Sequence, residues 1–109
     1  MTLGALIDEL RSLPQDRLVV GFGSPYSHRG YYSDLSFEPV ESTQSVAQLL
    51  ALAQSCLGRT FQGYKGGDYI MDAATPLWLS QYGDADQMRI MGLDISSEVV
   101  SPVLMEEED

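Results

Sequence analysis

The sequence LGALIDELRSLPQDRLVVGF, residues 3–22, decides the fold class. Leucine and isoleucine recur in its first half at the spacing of one helix face, Thr2 precedes them as an N-cap, and Pro14 follows as a stop. Residues 18–22 contain two valines and a phenylalanine, which is typical of a buried strand. The stretch therefore predicts a short amphipathic helix followed at once by a core strand.

The rest of the chain predicts one more helix and several strands. Residues 23–33 are rich in Gly, Ser, Pro and Tyr and predict a loop before a second strand at residues 35–40. Ser45 is placed to cap a second helix, which Gly58 ends. Further strands are predicted at residues 60–63, 69–71, 77–79, 88–93 and 99–104, the last of them at an edge. We therefore expect an α+β fold in which two helices pack on a small, mainly antiparallel sheet.

The length of 109 residues fits a single domain with one modest core. We place this domain at residues 1–104. Residues 105–109 are predicted to form an acidic, disordered tail.

The charge balance restricts the class of ligand. Sixteen acidic against six basic side chains give a net charge of −10. Such a surface repels phosphate backbones, so binding to a nucleic acid polymer is not expected. A small anionic ligand held by one or two placed cations remains open.

Three features predict a cytoplasmic protein. Cys56 is the only cysteine, which excludes an internal disulfide and a multi-cysteine zinc site. Residues 1–13 contain charged side chains and lack the apolar core of a signal peptide. No stretch approaches the roughly 18 apolar residues that a membrane span needs.

The predicted second helix has no charged residue from 46 to 57. A surface helix of a monomer normally carries Lys or Glu on its polar face. Two explanations are open: part of this helix lies in a subunit interface, or the sheet wraps it inside a single chain.

The segment FQGYKGGDY, residues 61–69, combines glycines, aromatic rings and a lysine. Backbone amides in such a turn can cradle a phosphate, the lysine adds a charge, and the rings can stack a base. The alternative is a hairpin turn whose tyrosines pack as edge aromatics. The candidate ligand-binding residues here are Phe61, Tyr64, Lys65, Gly66, Gly67 and Tyr69.

The first predicted loop has the same mixture of hydroxyl groups, aromatic rings and one cation. Its candidate ligand-binding residues are Ser27, His28, Arg29 and Tyr31. The guanidinium of Arg29 suits bidentate contact with a phosphate. The alternative is a surface ion pair with Asp34 or Glu38.

No pattern for catalysis or metal binding accompanies these loops. His28 has no serine or cysteine nucleophile in a recognised elbow, and the aspartates are scattered rather than spaced as a calcium loop. We therefore expect a protein that is not an enzyme and holds no metal or cofactor. Trp78 is expected to be a packing anchor, in the core or at an interface.

Three segments together resemble a known family. They are GFGSPYSHRGYY at residues 21–32, LSFEP at residues 35–39 and TFQGYKGGDY at residues 60–69. They resemble the first family of Thoeris anti-defence proteins, found in phages and prophages. The likeness extends over residues 3–93.

This resemblance implies a sponge that binds a cyclic ADP-ribose isomer without cleaving it and so suppresses Thoeris- or CBASS-type defence in the bacterial cytoplasm. Related members also take cyclic oligonucleotides. It further implies a homo-oligomer built from dimers, up to a hexamer. By the same resemblance, Arg29 and Lys65 would contact phosphates, and the rings named above would stack. Gln81 and Arg89 are further candidates for the pocket.

Two other functions remain open from the sequence. The acidic surface could mimic nucleic acid and block a basic host protein, which predicts strong salt dependence and no small-molecule ligand. An enzyme that degrades the signal would need an acid/base pair or a metal.

Overall fold

The computed structural model describes residues 1–27, 34–62, 67–80 and 88–106. No helix in these ranges combines the length and apolarity that crossing a bilayer requires. The elements form the predicted α+β arrangement, with two helices and a mainly antiparallel, mixed sheet.

The first helix, α1 (Leu3–Arg11), begins as predicted. The Thr2 side chain accepts a hydrogen bond from the Ala5 amide, which satisfies one of the unpaired donors of the first turn. Its buried face is formed by Leu3, Leu6, Ile7 and Leu10. The helix ends at Arg11, before Pro14, because the Ser12 amide turns back to the Glu9 and Leu10 carbonyls.

The second helix, α2 (Val46–Cys56), is capped on both sides as predicted. Ser45 and Gln48 form a reciprocal capping box. After Cys56 the chain turns at Gly58, whose φ of 72° is in the left-handed region and whose amide donates to the Met71 carbonyl at 2.7 Å.

The uncharged face of α2 is open in the single chain. Its exposed residues are Ala47, Gln48, Ala51, Gln54 and Ser55. This disagrees with the alternative that the sheet wraps the helix inside a single chain. A subunit interface on this face stays a prediction.

The strands are short. They are β1 (Leu18–Val20), β2 (Pro25–Ser27), β3 (Leu35–Phe37), β4 (Thr43–Ser45), β5 (Thr60–Gln62), β6 (Asp68–Ile70), β7 (Leu77–Leu79), β8 (Met88–Asp94) and β9 (Val99–Glu106). Within the described ranges, seven strands form one sheet in the order β2-β3-β7-β8-β9-β1-β4, and β5 pairs with β6 in a separate hairpin. The β3–β7 and β9–β1 pairs are parallel, and the other pairs are antiparallel.

Two of the observed strands differ from the prediction. β2 lies inside the predicted loop 23–33, and β4 was not predicted. β2 forms because the amides of Gly23 and Glu38 donate to the carbonyls of Glu38 and Ser24, which extends its pairing with β3. Pro25 fits because β2 is at the edge of the sheet.

β9 is an interior strand between β8 and β1, not an edge strand. It also continues to Glu106, because Met105 pairs with Arg89 on β8. The predicted start of the disordered tail at residue 105 is therefore too early. β9 tolerates Pro102 although it is an interior strand, because its pairing with β1 involves only Val99 and Val100 of β9. Gly21 lies against the proline ring. Residues 107–109 lie outside the described residues.

The sheet has to curl. β1 and β2 are five strand spacings apart in the sheet order, which is about 24 Å in a flat sheet. Residues 21–24 are the only link between them, and such a link spans at most about 18 Å. The curled sheet therefore has a core face, against which both helices pack, and an outer face.

The strand register assigns residues to these faces. Val19, Leu35, Phe37, Leu77, Leu79, Ile90 and Val100 point to the core face and pack with both helices in one buried cluster. The outer face carries a row of laterally paired residues, Tyr26, Ser36, Trp78, Arg89 and Met105.

Candidate functional site

The strands that lead into the two predicted binding segments lie against each other. β2 ends at Ser27, directly before residues 28–33, and it contacts β5, which ends at Gln62, directly before residues 63–66. The chain therefore enters both Gly- and Tyr-rich segments from neighbouring strands. We call this place the junction and define it by Ser27 at the end of β2, Phe61 and Tyr69 in the hairpin, and Arg59 directly before β5.

Phe61 and Tyr69 form a cross-strand pair in the hairpin. Phe61 is buried, only 7% exposed, as part of the core cluster, and Tyr69 packs against that cluster while remaining half-buried. Both rings thus have a packing role on at least one side. Gly67 gives room for this arrangement, because a Cβ there would come within 2.8 Å of the Tyr69 hydroxyl.

Arg59 is a cation that was not among the predicted site residues. It is exposed, and its guanidinium carbon lies 4.6 Å from the centre of the Phe61 ring. A cation over an aromatic face at this distance is attracted by the ring quadrupole. The arrangement leaves an exposed guanidinium at the base of the hairpin. The signal that pointed to it was its position two residues before Phe61, on the same side of an extended segment.

On β2, polar groups link neighbouring strands. The Tyr26 hydroxyl donates to the Ser80 carbonyl, and the Ser80 hydroxyl donates to Ser36 Oγ at 3.2 Å. Ser27 is buried, and its register partner on β3 is Leu35. These contacts connect β2 and β3 to the residue that follows β7.

Trp78 and Arg89 form a second cation–aromatic pair, on the outer face. The Trp78 Nε1–H donates to Asp34 Oδ2 at 2.8 Å, and the Arg89 guanidinium carbon lies 5.9 Å from the indole ring. Trp78 is buried, yet its register places it on the face opposite the core. Arg89 therefore lies on the other face of the sheet from Phe61 in the same chain.

The remaining predicted ligand-binding residues lie outside the described residues. They are His28, Arg29, Tyr31, Tyr64, Lys65, Gly66 and Gln81. The junction brings together the ends of the described chain that flank the first six of these. In the sequence Gln81 comes two residues after the last residue of β7, Leu79. The register places Leu79 beside the end of β3, whereas Ser27 is beside its start.

Comparison of the chain with protein-family models, curated proteins and solved structures finds no match.

Among the described residues, no group of three or more His, Cys, Asp or Glu side chains is arranged to hold a metal ion. The chemistry available at the junction is recognition of charge and of flat rings. An exposed guanidinium and a half-buried tyrosine supply it, beside the buried core ring that the guanidinium covers.

Cys56 is buried on the core side of α2. Burial raises the pKa of its thiol, and the nearby positive charge of Arg59 acts in the opposite direction to a smaller extent. Because the thiolate is the reactive form, we expect Cys56 to react slowly with a disulfide reagent at pH 7–8 in the folded protein. Addition of denaturant should make the reaction fast. Rapid reaction of one thiol per chain without denaturant would contradict the burial.

Proposed function

We propose that the protein binds a nucleotide signalling molecule and sequesters it without cleaving it. The observation that carries the proposal is the contact between β2 and β5, which puts the entry points of both Gly- and Tyr-rich segments at one place. One cation, Arg59, is already positioned there. Arg29 and Lys65 are in the two segments that continue from it.

The charges of the chain support a localised anion site. Because the net charge is −10, each of the six basic side chains is a local exception to a negatively charged surface. Three of them are at the junction or in the segments that adjoin it. Guanidinium groups bind phosphates through paired hydrogen bonds, and tyrosine rings stack on bases. A nucleotide supplies both partners.

The resemblance to Thoeris anti-defence proteins supports a cyclic ADP-ribose isomer as the ligand and a phage-encoded sponge in the bacterial cytoplasm as the role. A sponge works by stoichiometric capture and therefore needs tight binding, on the order of nanomolar or about −12 kcal/mol. A pocket shared by two chains can reach this affinity by burying most of a small ligand.

Replacing Arg59 with alanine tests the position of the site. We expect affinity for the bound nucleotide to fall about tenfold, which corresponds to about 1.4 kcal/mol for one lost phosphate contact. Isothermal titration with cyclic ADP-ribose isomers and cyclic dinucleotides measures the change. Arg11→Ala is the matched control, because it removes the same charge from an exposed position at the end of α1. Equal losses in both variants would show that bulk charge, not the junction, attracts the ligand.

The acidic protein-directed inhibitor predicts a different outcome of the same titration. It predicts no heat with any nucleotide and a salt-sensitive complex with a basic host protein. A signal-degrading enzyme predicts a cleaved ligand after heat denaturation of the complex. Recovery of intact ligand supports the sponge alone.

A further inference from the structure

The outer face of the β8–β9 ladder exposes large apolar side chains. Met91, Val103 and Met105 are 45%, 44% and 56% exposed, and both helices pack on the other face of the sheet. A mainly antiparallel sheet can leave one face to solvent, but contiguous exposed apolar patches mark interaction surfaces. This face therefore resembles half of an interface.

Gly92 lies in the middle of this face, opposite Val103. A glycine weakens a strand, so it needs a reason. Its φ is not in the left-handed region, which a glycine of a G1 bulge would require, although the register shifts at the neighbouring Met91. A Cβ at Gly92 would meet nothing within 4 Å in the described part of the chain. Close approach of another backbone from outside is a reason consistent with both observations.

The charges on this face complement each other under a two-fold rotation. On β8, Arg89 is at one end and Asp94 at the other, with Gly92 between them, and all three share the outer face. Consider two copies whose outer faces are in contact, with a two-fold axis between them that runs perpendicular to the strands at the level of Gly92. This axis places β8 of one copy antiparallel on β8 of the other. Arg89 then faces Asp94 of the second copy, twice, and Val103 faces Val103. An axis along the strands would instead place Arg89 on Arg89.

We propose that the outer face of β8 and β9 is the interface of a two-fold homodimer, with Val103 and Gly92 at its centre and two Arg89–Asp94 pairs at its ends. A second copy fits better than a foreign basic protein, because this face of a very acidic chain carries one guanidinium for its one carboxylate. The interface is distinct from the exposed side of α2, which lies across the sheet.

The oligomeric state of the full chain in solution tests the interface. By sedimentation equilibrium at micromolar concentration, we expect the wild type to have the mass of a dimer or of an assembly of dimers. Gly92→Lys should lower that mass while the circular dichroism spectrum and the melting temperature stay unchanged, because the single chain has space for the side chain. Ala51→Lys, on the exposed side of α2, is the matched control and should leave the mass unchanged.

A charge exchange tests the orientation of the two copies. Arg89→Asp and Asp94→Arg should each raise the dissociation constant about tenfold or more, and the double variant should restore it, because two exchanged pairs form again. A monomeric wild type, or Gly92→Lys with the wild-type mass, would overturn the interface. A double variant weaker than both single variants would overturn the orientation. Titration of the wild type with nucleotides reports on the proposed function separately, so either proposal can fail alone.

Discussion

Replacing Phe37 with alanine should lower the free energy of unfolding by about 3–5 kcal/mol. The Phe37 ring is completely buried on the core face of β3, and it contacts Phe22 edge-to-face with 5.3 Å between ring centres. Alanine leaves a cavity where the curled sheet meets the helices, and it also removes the aromatic pair. Urea unfolding followed by far-UV circular dichroism measures the loss.

Ile70→Ala is the matched control for this prediction. Ile70 is also an apolar strand residue, but it is 63% exposed. Its truncation should cost less than about 1 kcal/mol. Similar losses in the two variants would contradict the assignment of β3 to the centre of the core.

Replacing Arg29 with alanine should reduce affinity for the bound nucleotide by at least about 2 kcal/mol, which is about thirtyfold. The reason is that a phosphate buried on binding would lose its guanidinium partner. Arg29 follows β2 by two residues, so the junction fixes where its segment begins. Titration calorimetry measures the affinity.

Two controls make the Arg29 result specific. An unchanged melting temperature shows that the fold is intact. Arg29→Lys keeps the charge but loses the paired donors, so it should recover part of the affinity and not all of it. Wild-type affinity in Arg29→Ala would remove this residue from the site.

The helices and their ends were predictable because their signals are local. Thr2 and Ser45 accept hydrogen bonds from backbone amides in the first turns of their helices, and Gly58 has the positive φ that commonly follows a helix end. β7 was predicted with its observed bounds because Leu77, Trp78 and Leu79 form an uninterrupted apolar run. In these places the signal that predicts the structure lies within a few residues of it.

The missed features depend on contacts that are distant in sequence. β2 has no β-branched residue and exists because β3 pairs with it. β9 is interior because β8 and β1 approach it from both sides, which no local pattern indicates. Trp78 was expected to be an anchor, but its face follows from its register with Arg89 on β8.

The site was predictable in composition and less so in geometry. The two Gly- and Tyr-rich segments stand out in the sequence, and the contact between β2 and β5 supports one site that uses both. Arg59 was missed because its spacing of two residues from Phe61 is informative only once the segment between them is known to be extended. Its importance comes from the Phe61 ring beneath it, which is a tertiary contact.

The most direct test of the central claim is isothermal titration of the wild-type protein with cyclic ADP-ribose isomers and cyclic dinucleotides. It is followed by heat denaturation and chromatography of the released ligand. The account predicts nanomolar binding of one of these nucleotides and its recovery intact. Absence of binding to all of them, or recovery of a cleaved product, would contradict it.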